Sequence, residues 1–315
     1  VRYDERENIR ATVDFLGCDA TYVKVSTENT LERLRNLIAY HDQPIATITY
    51  LIHSMLSEQI AARGYKISVS GSAADELFTG YYDYHCYHLL AIKDRSDYRE
   101  YYNDWLNNTG KVVRNPFLSK PELFFDNPGL RDYIYLNNDE FSDYLVEPFS
   151  EKFFEEDFAD AANDSMLRKR MFNDIFHETV PVILNEDDLN SMFYSLENRS
   201  PFLDKELFEF AHSIPVEYLI RDGYGKYILR QAMEGLITDK VRLDRQKKGF
   251  NASLLSLVDF SSPAVKNELL SDSPVFELFD GNKIAALMRQ SSLPNSYSKF
   301  LFSFINAKYF LEMNS

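Results

Sequence analysis

With a net charge of −15 over 315 residues, the chain is poorly suited to bind nucleic acid or an anionic membrane surface. Its 45% hydrophobic content excludes a disordered chain, and its length is sufficient for one large domain or two small ones. The two cysteines form no spacing motif and we find neither a signal-peptide pattern nor a membrane-spanning apolar run, so we expect a cytoplasmic protein.

The first seventy residues show apolar periods of helices and strands in alternation. In chain order we predict a helix over residues 4–16 ending at Gly17, a strand over 21–25, a helix containing Leu31 to Ile38, a helix from Ile48 to Ile60 ending near Gly64, and a strand over 66–69. This order indicates a parallel sheet covered by helices, in which ligands bind beyond the carboxyl ends of the strands.

The stretch from Lys66 to Tyr81, KISVSGSAADELFTGY, continues from that strand into a small-residue turn and a short helix. Ser72 is placed to cap the helix, and Asp75 and Glu76 stand in its first turn. A strand, a tight turn and a helix N-terminus together can present backbone N–H groups to a phosphate. Alternatively, the two acids only complement the helix dipole.

Residues 82–180 predict helices and loops, with breaks before Pro116, Pro121 and Pro128. His85 and His88 have a spacing that permits a shared metal, but no third ligand is evident. We therefore interpret both as ordinary, partly buried histidines.

Residues 181–215 begin with a predicted helix whose buried face includes Met192, Phe193 and Leu196. Just beyond it, Glu197 and Arg199 carry opposite charges near the helix end, and we expect them to pair. For most residues of this segment a structural role is favoured over a place in a binding pocket.

Pro201 ends that helix, and Asp204 is expected to cap the next one, from Lys205 to Ser213. Further on, Lys247 and Lys248 read by themselves as a solvated basic patch. Residues 251–315 are helical and aromatic in pattern and carry no further motif.

Three blocks of the chain resemble the synthetase domain of the asparagine synthetase family. In the first block the family has Ser-Gly-acid-Gly-small-Asp-Glu-x-Phe-Gly-Gly-Tyr. The matching residues are Ser70, Gly71, Asp75, Glu76, Phe78, Gly80 and Tyr81. Ser72, Ala73 and Thr79 depart from the pattern, since the family has an acid at the first of these positions and glycine at the other two.

The second and third blocks occur in the family's order. In the second block the matching residues are Asp188, Ser191, Met192, Leu196, Glu197, Arg199, Pro201, Phe202, Leu203 and Asp204. Leu189 replaces a usual arginine. In the third block the matching residues are Lys226 or a neighbour, Leu229, Arg230, Arg245, Lys247, Gly249 and Phe250. A proline that the family carries between the two motifs of the third block is absent.

The resemblance implies an α/β fold, a parallel sheet with flanking helices of the adenine nucleotide α-hydrolase-like type, followed by a largely helical carboxy-terminal half. It implies that ATP and Mg²⁺ are used to amidate a carboxylate, with aspartate converted to asparagine through an acyl-adenylate. Ser70, Gly71 and Ser72 would contact the nucleotide, Asp75 would hold Mg²⁺ on the pyrophosphate, and Lys247 would be the catalytic residue that stabilises developing charge.

The same resemblance implies partners and a boundary. Ammonia would come from a separate glutaminase domain, and a homodimer stays open. The family's phosphate loop, Ser-Gly-Gly-x-Asp-Ser, is not found in residues 1–315. We therefore expect residues 1–315 to be one synthetase domain truncated at its amino end, which alone binds ATP weakly and does not turn over.

Ser72 opens the choice of acceptor, because amide-forming members carry an acid at that position. An amidotransferase acting on another carboxylate, such as a surface-polysaccharide sugar acid, is an alternative, and a β-lactam synthetase-like cyclisation has no positive support. A non-catalytic relative is a further alternative, although Asp75 and Lys247 are both retained. A tRNA-modifying ligase of the same fold is disfavoured by the charge of −15.

Overall fold

The computed structural model describes residues 5–134, 138–148, 154–159, 165–246 and 252–315. In the amino-terminal part the elements are α1 (Arg6–Leu16), α2 (Thr30–His41), α3 (Ile48–Ala62), β1 (Ile67–Val69), α4 (Ala74–Phe78), α5 (Tyr82–Ala91), α6 (Tyr98–Asn107), α7 (Glu122–Asp126) and α8 (Asn138–Ser142). The predicted first helix and its end are confirmed, since Gly17 has the left-handed backbone of a helix terminator, with φ 60°.

The second part of the chain is also helical. Its elements are α9 (Met166–Phe176), α10 (Thr179–Met192), β2 (Glu197–Arg199), α11 (Lys205–Ser213), α12 (Tyr227–Ala232), α13 (Asp239–Arg242), α14 (Pro263–Leu269), α15 (Gly281–Leu287) and α16 (Asn295–Met313). Short 3₁₀ turns connect them at Thr109–Lys111, Pro201–Leu203, Val216–Tyr218, Leu254–Ser256 and Pro274–Glu277. The described chain is thus mostly helical, as expected for its carboxy-terminal half.

The sheet is parallel, as predicted, but within the described residues it consists of β1 and β2 alone. The predicted strand over residues 21–25 is wrong. Those residues form no ladder with any described strand, and Val23 and Val25 are half-buried while their neighbours are exposed. The alternating pattern therefore reflects a segment lying on the core, because a strand needs a partner to complete its hydrogen bonds.

The segment before β2 differs from the prediction in two respects. The expectation that Pro201 ends the preceding helix is wrong, because α10 already ends at Met192 and β2 lies between them. Leu196 is buried at 1% exposure, but Met192 and Phe193 are 48% and 37% exposed, so the predicted buried face is wrong for those two residues. The predicted cap is confirmed, because the Asp204 side chain accepts hydrogen bonds from the backbone N–H groups of Glu206 and Leu207 at the start of α11.

Two main hydrophobic cores organise the described chain. In the first, α2 and α3 pack with the helices that follow residue 252, and Leu34, Leu51 and Tyr309 are fully enclosed. The second forms around α4, α5, α9 and α11. Because α4 follows β1 directly, this second core fixes the turn at the end of the strand. None of the described helices has the length and apolar character needed to cross a membrane.

Candidate functional site

The signature turn lies where the two parallel strands end. The Ser70 backbone N–H donates to the Arg199 carbonyl at 2.8 Å and so extends the strand pairing by one step. As a result Ser200, which follows β2, meets the turn that follows β1. The Ser70 hydroxyl oxygen is 3.1 Å from that of Ser72 and 3.1 Å from that of Ser200. Three hydroxyl groups therefore converge, and sequence reasoning assigned no role to the third.

The capping prediction for Ser72 is wrong, because no side chain caps α4 and the Ser72 hydroxyl bonds to Ser70 instead. The residue at the cap position, Ala73, has φ 73°, and Thr79 at the other end of the helix has φ 64°. A left-handed backbone costs a residue with a Cβ atom about 1–2 kcal/mol. Both positions are among those where the chain departs from glycine in the family block, so their backbone is one that glycine favours.

Asp75 forms an ion pair that the sequence did not reveal. Its Oδ1 lies 2.5 Å from Nζ of Lys226, and the two side chains are only 19% and 25% exposed. The carboxylate lies directly against Gly80, where a Cβ atom would stand 1.7 Å from Asp75 Oδ1. Gly80 is therefore needed for close approach, which gives the glycine of the signature a physical role.

Glu76, the second acid of the signature, is only 1% exposed and accepts a hydrogen bond of 2.5 Å from the Tyr81 hydroxyl. Burial raises the pKa of the Glu76 carboxyl and of the Tyr81 phenol, because it disfavours the charged form of each group. Glu76 thus belongs to the packing of α4, whereas the other acid reaches Lys226.

A cavity of about 190 Å³ opens beside the ion pair. Among the described residues three cations line it, namely Lys226, Arg230 and Arg245, together with the carboxylate-bearing side chains Glu5 and Asp244. A cavity with several fixed cations suits a ligand that carries several negative charges, such as a polyphosphate.

The arginines of this cavity are held in place by their surroundings. Arg230 donates from Nε to the Gly225 carbonyl at 2.8 Å, and the Arg245 guanidinium lies 3.8 Å from the centre of the Tyr224 ring. His85 lines the same cavity, and burial, with the nearby positive charge of Arg230, lowers its pKa to about 4. The imidazole is therefore neutral near pH 7, so the positive charge of the cavity comes from the lysine and the two arginines.

The two histidines of α5 are more deeply buried than expected, at 5% for His85 and 0% for His88. Burial lowers the pKa of His88 to about 3. Across the described ranges, no group of three or more His, Cys, Asp or Glu side chains is arranged to hold a metal ion. The interpretation of these histidines as packed side chains agrees with their burial.

Four of the five predicted site residues lie in the described part of the chain. Ser70, Gly71 and Ser72 lie at the strand ends, and Asp75 lies in the first turn of α4, in contact with Lys226. Lys247, the predicted catalytic residue, falls in 247–251, outside the described residues. The comparison with the family's third block gave Lys226 or a neighbour as the matching lysine. Its position three residues before Leu229 and Arg230 is the signal that could have identified it as a site residue.

Other charges of the second block lie in a different setting. Glu197 and Arg199 form the predicted ion pair, with 3.7 Å between Glu197 Oε1 and Arg199 Nε. Both side chains are about 60% exposed, so this pair contributes little to stability. We expected them near a helix end, but they lie on strand β2.

Comparison with known proteins gives consistent matches over most of the chain. The family model for asparagine synthase matches residues 1–312. A glutamine-hydrolysing asparagine synthetase of Bacillus subtilis (strain 168) is 27% identical over 258 residues, which is 79% of this chain and 40% of that protein. "Amidase chry2" of Gibberella zeae is 26% identical over 276 residues, covering 76% of this chain and 40% of that protein. The chain thus spans about two fifths of the length of these relatives.

Proposed function

Because the chain belongs to the asparagine synthase family, we propose that it is the synthetase part of an enzyme that uses ATP to amidate a carboxylate. The acceptor carboxylate attacks the α-phosphorus of ATP and pyrophosphate leaves. Ammonia then attacks the acyl carbon of the acyl-adenylate, loses a proton and displaces AMP, which leaves the amide. The ammonia would come from glutamine in a glutaminase domain, as the name of the Bacillus relative suggests.

The observation that carries this proposal is the cavity lined by three cations beside the ion pair of Lys226 with Asp75. Lys226, Arg230 and Arg245 line it, and Lys226 pairs with Asp75 on α4, the helix that follows the turn at the carboxyl ends of the two parallel strands. In open α/β sheets that edge is where ligands bind. The three cations would neutralise the phosphates of ATP, and charge built up as pyrophosphate leaves would be stabilised by fixed donors.

The remaining roles follow the family block. Ser70, Gly71 and Ser72 would contact the nucleotide, and Lys247 would stabilise negative charge in the adenylation and amidation steps. Asp75 fits a magnesium ion, since Mg²⁺ is commonly bound by one or two carboxylates with the substrate phosphates as further ligands. When bound, the ion would neutralise phosphate charge.

We also propose the adenine nucleotide α-hydrolase-like fold for residues 1–315, as one synthetase domain. The small parallel sheet with its helices supports this at the level of fold class. A homodimer and a cytoplasmic location stay predictions.

Titration of the chain with ATP and Mg²⁺ tests the cationic cavity. Replacing Arg245 with Ala removes one partner of the phosphates, and we expect binding weaker by about ten-fold, the effect of roughly 1.4 kcal/mol. Arg289→Ala is the matched control, because Arg289 lines a different cavity near α15. Equal ATP affinity in the parent and the Arg245→Ala variant would contradict a polyphosphate site here.

The reaction itself is tested by ATP–pyrophosphate exchange in the full-length protein with candidate acids. Aspartate is the first acid to test, because the Bacillus relative is named an asparagine synthetase. Aspartate-dependent exchange would support asparagine synthesis, whereas exchange with a uronic acid alone would assign the acceptor to a sugar acid.

An apolar cavity beside Ser72 favours a second acceptor class. It has a volume of about 370 Å³, and its lining includes Ala73 and Phe202. Each of these residues is within two positions of a serine whose hydroxyl joins the converging group. Leu77 and Phe208 add further apolar wall. An acid with an aromatic or alkyl body would fill this space, and an acid panel in the exchange assay should include one.

A further inference from the structure

We propose that Lys226 occupies the cation position beside Asp75 until a polyphosphate arrives, so that the site rejects a free divalent cation and accepts one only together with the nucleotide. This inference rests on the proposed function. The contact that suggests it is the 2.5 Å separation between Lys226 Nζ and Asp75 Oδ1. An ammonium at that distance uses the carboxylate oxygen that a metal ion would otherwise bind.

Backbone geometry positions both members of the ion pair. Gly80 lets the Asp75 carboxylate lie against the chain, since any Cβ atom there would collide with it. Lys226 has a left-handed backbone, φ 56°, at the start of α12. The preceding residue, Gly225, packs so closely on the Thr79 carbonyl that a Cβ atom would stand 2.5 Å from its oxygen. The two segments that carry the ion pair are therefore locked together.

The surrounding charges make an incoming metal ion unfavourable by itself. Arg230 and Arg245 line the same cavity as Lys226, and His85 there is neutral near pH 7. A dication beside Asp75 would meet three fixed positive charges in a partly buried setting, where screening is weaker than in water. Glu5, Asp244 and Asp75 bring three negative charges, and the lysine and the two arginines cancel the attraction that these carboxylates would otherwise exert on the ion.

A polyphosphate reverses this balance. Its oxygens are acceptors for the lysine and both arginines, so Nζ of Lys226 can leave the carboxylate for a phosphate oxygen. The Asp75 oxygen that Lys226 has left can then contact the metal ion that accompanies the phosphates. Lys226 acts in this scheme as a positioning residue that couples metal binding to nucleotide binding, which is a reciprocal linkage.

Mn²⁺ binding to the chain, followed by the electron paramagnetic resonance signal of free Mn²⁺, tests the proposal. We expect the parent and Asp75→Asn to bind Mn²⁺ alone equally weakly. Lys226→Met should gain a site about ten-fold tighter, and the gain should vanish in the Lys226→Met/Asp75→Asn double variant. Lys226→Arg keeps the charge and should show no gain.

Lys240→Met is the matched control, because Lys240 also pairs with a carboxylate, that of Glu7, but is 49% exposed. Where Lys226→Met does not fold, as judged by circular dichroism, Lys226→Gln replaces it in the same comparison. A parent that binds Mn²⁺ alone as tightly as Lys226→Met, with dependence on Asp75, would overturn the proposal.

A second titration separates this inference from the proposed function. In the parent, a non-hydrolysable ATP analogue should create Mn²⁺ binding that depends on Asp75. If the analogue itself does not bind, the proposed function fails, while the Mn²⁺ comparison between parent and Lys226→Met still decides whether the lysine excludes free metal. If the analogue binds but Mn²⁺ binding stays independent of Asp75, the coupling is wrong.

Discussion

Replacing Glu186 with Gln should change how the stability of the protein depends on pH. The Glu186 side chain is 2% exposed, accepts a 2.6 Å hydrogen bond from the Ala46 backbone N–H, and has its other oxygen 3.6 Å from Nδ1 of the enclosed His41. Burial, with a smaller contribution from the neighbouring Asp187, raises the pKa of Glu186 to about 7. The folded state therefore holds a proton that the unfolded state has released.

The size of the effect follows from the two pKa values. The difference between the usual 4.5 and about 7 corresponds to about 3 kcal/mol, at about 1.4 kcal/mol per pKa unit. Because the folded state binds more protons between these values, the free energy of unfolding falls as pH rises through that window. The contribution is complete below the unfolded pKa and is lost above about pH 7.

His41 acts in the opposite direction, since burial lowers its pKa and stability is lost when the unfolded chain is protonated below about pH 6.5. Comparing Glu186→Gln with the parent at each pH cancels much of this effect, because His41 is present in both proteins.

Urea unfolding between about pH 5 and pH 8 measures the difference. We expect Glu186→Gln to gain stability over the parent as pH rises, by up to about 3 kcal/mol across the window, because the amide has no charge to bury. Glu7→Gln is the control, since the Glu7 side chain is 86% exposed. A stability difference between Glu186→Gln and the parent that does not change with pH would refute the reasoning.

Three further predictions concern the site and its support. Gly80→Ala should weaken Mn²⁺–nucleotide binding by about ten-fold, because the added Cβ atom would displace the Asp75 carboxylate. The control is Gly129→Ala, whose added Cβ atom would make only an ordinary contact. Equal nucleotide affinity in Gly80→Ala and the parent would contradict the close approach. Arg170→Ala should lower the free energy of unfolding by about 3–5 kcal/mol, because it leaves the buried Asp174 without a cation. In the parent the Arg170 guanidinium lies 2.8 Å from that carboxylate. A melting temperature close to that of the parent would argue against this. Asp204→Ala should cost about 1 kcal/mol through loss of the α11 cap, measured by urea unfolding, and an unchanged midpoint would show the cap to be dispensable.

Local patterns were sufficient where neighbouring residues decide the structure. The helices α2 and α3 followed from their apolar spacing, and the cap at Asp204 from the chemistry of its side chain. The family block likewise located the turn at Ser70 to Ser72, because a strand followed by small residues and acids is a local arrangement.

Where contacts between distant segments decide, the sequence alone was not sufficient. Residues 21–25 have the composition of a strand but no partner strand within the described chain, whereas Glu197–Arg199, charged and polar, becomes a strand because β1 lies beside it. Strand formation depends on such pairing more than on intrinsic preference.

The site shows the same division. The sequence determined that Asp75 and Gly80 stand near a turn, and the match to the family gave their chemistry. Only the tertiary structure brings Lys226 to within 2.5 Å of Asp75 and Ser200 to within 3.1 Å of Ser70, across separations of more than a hundred residues. The physical reason is that the parallel pairing of β1 with β2 and the packing of Gly225 on Thr79 set these distances, and neither leaves a periodic trace in the chain.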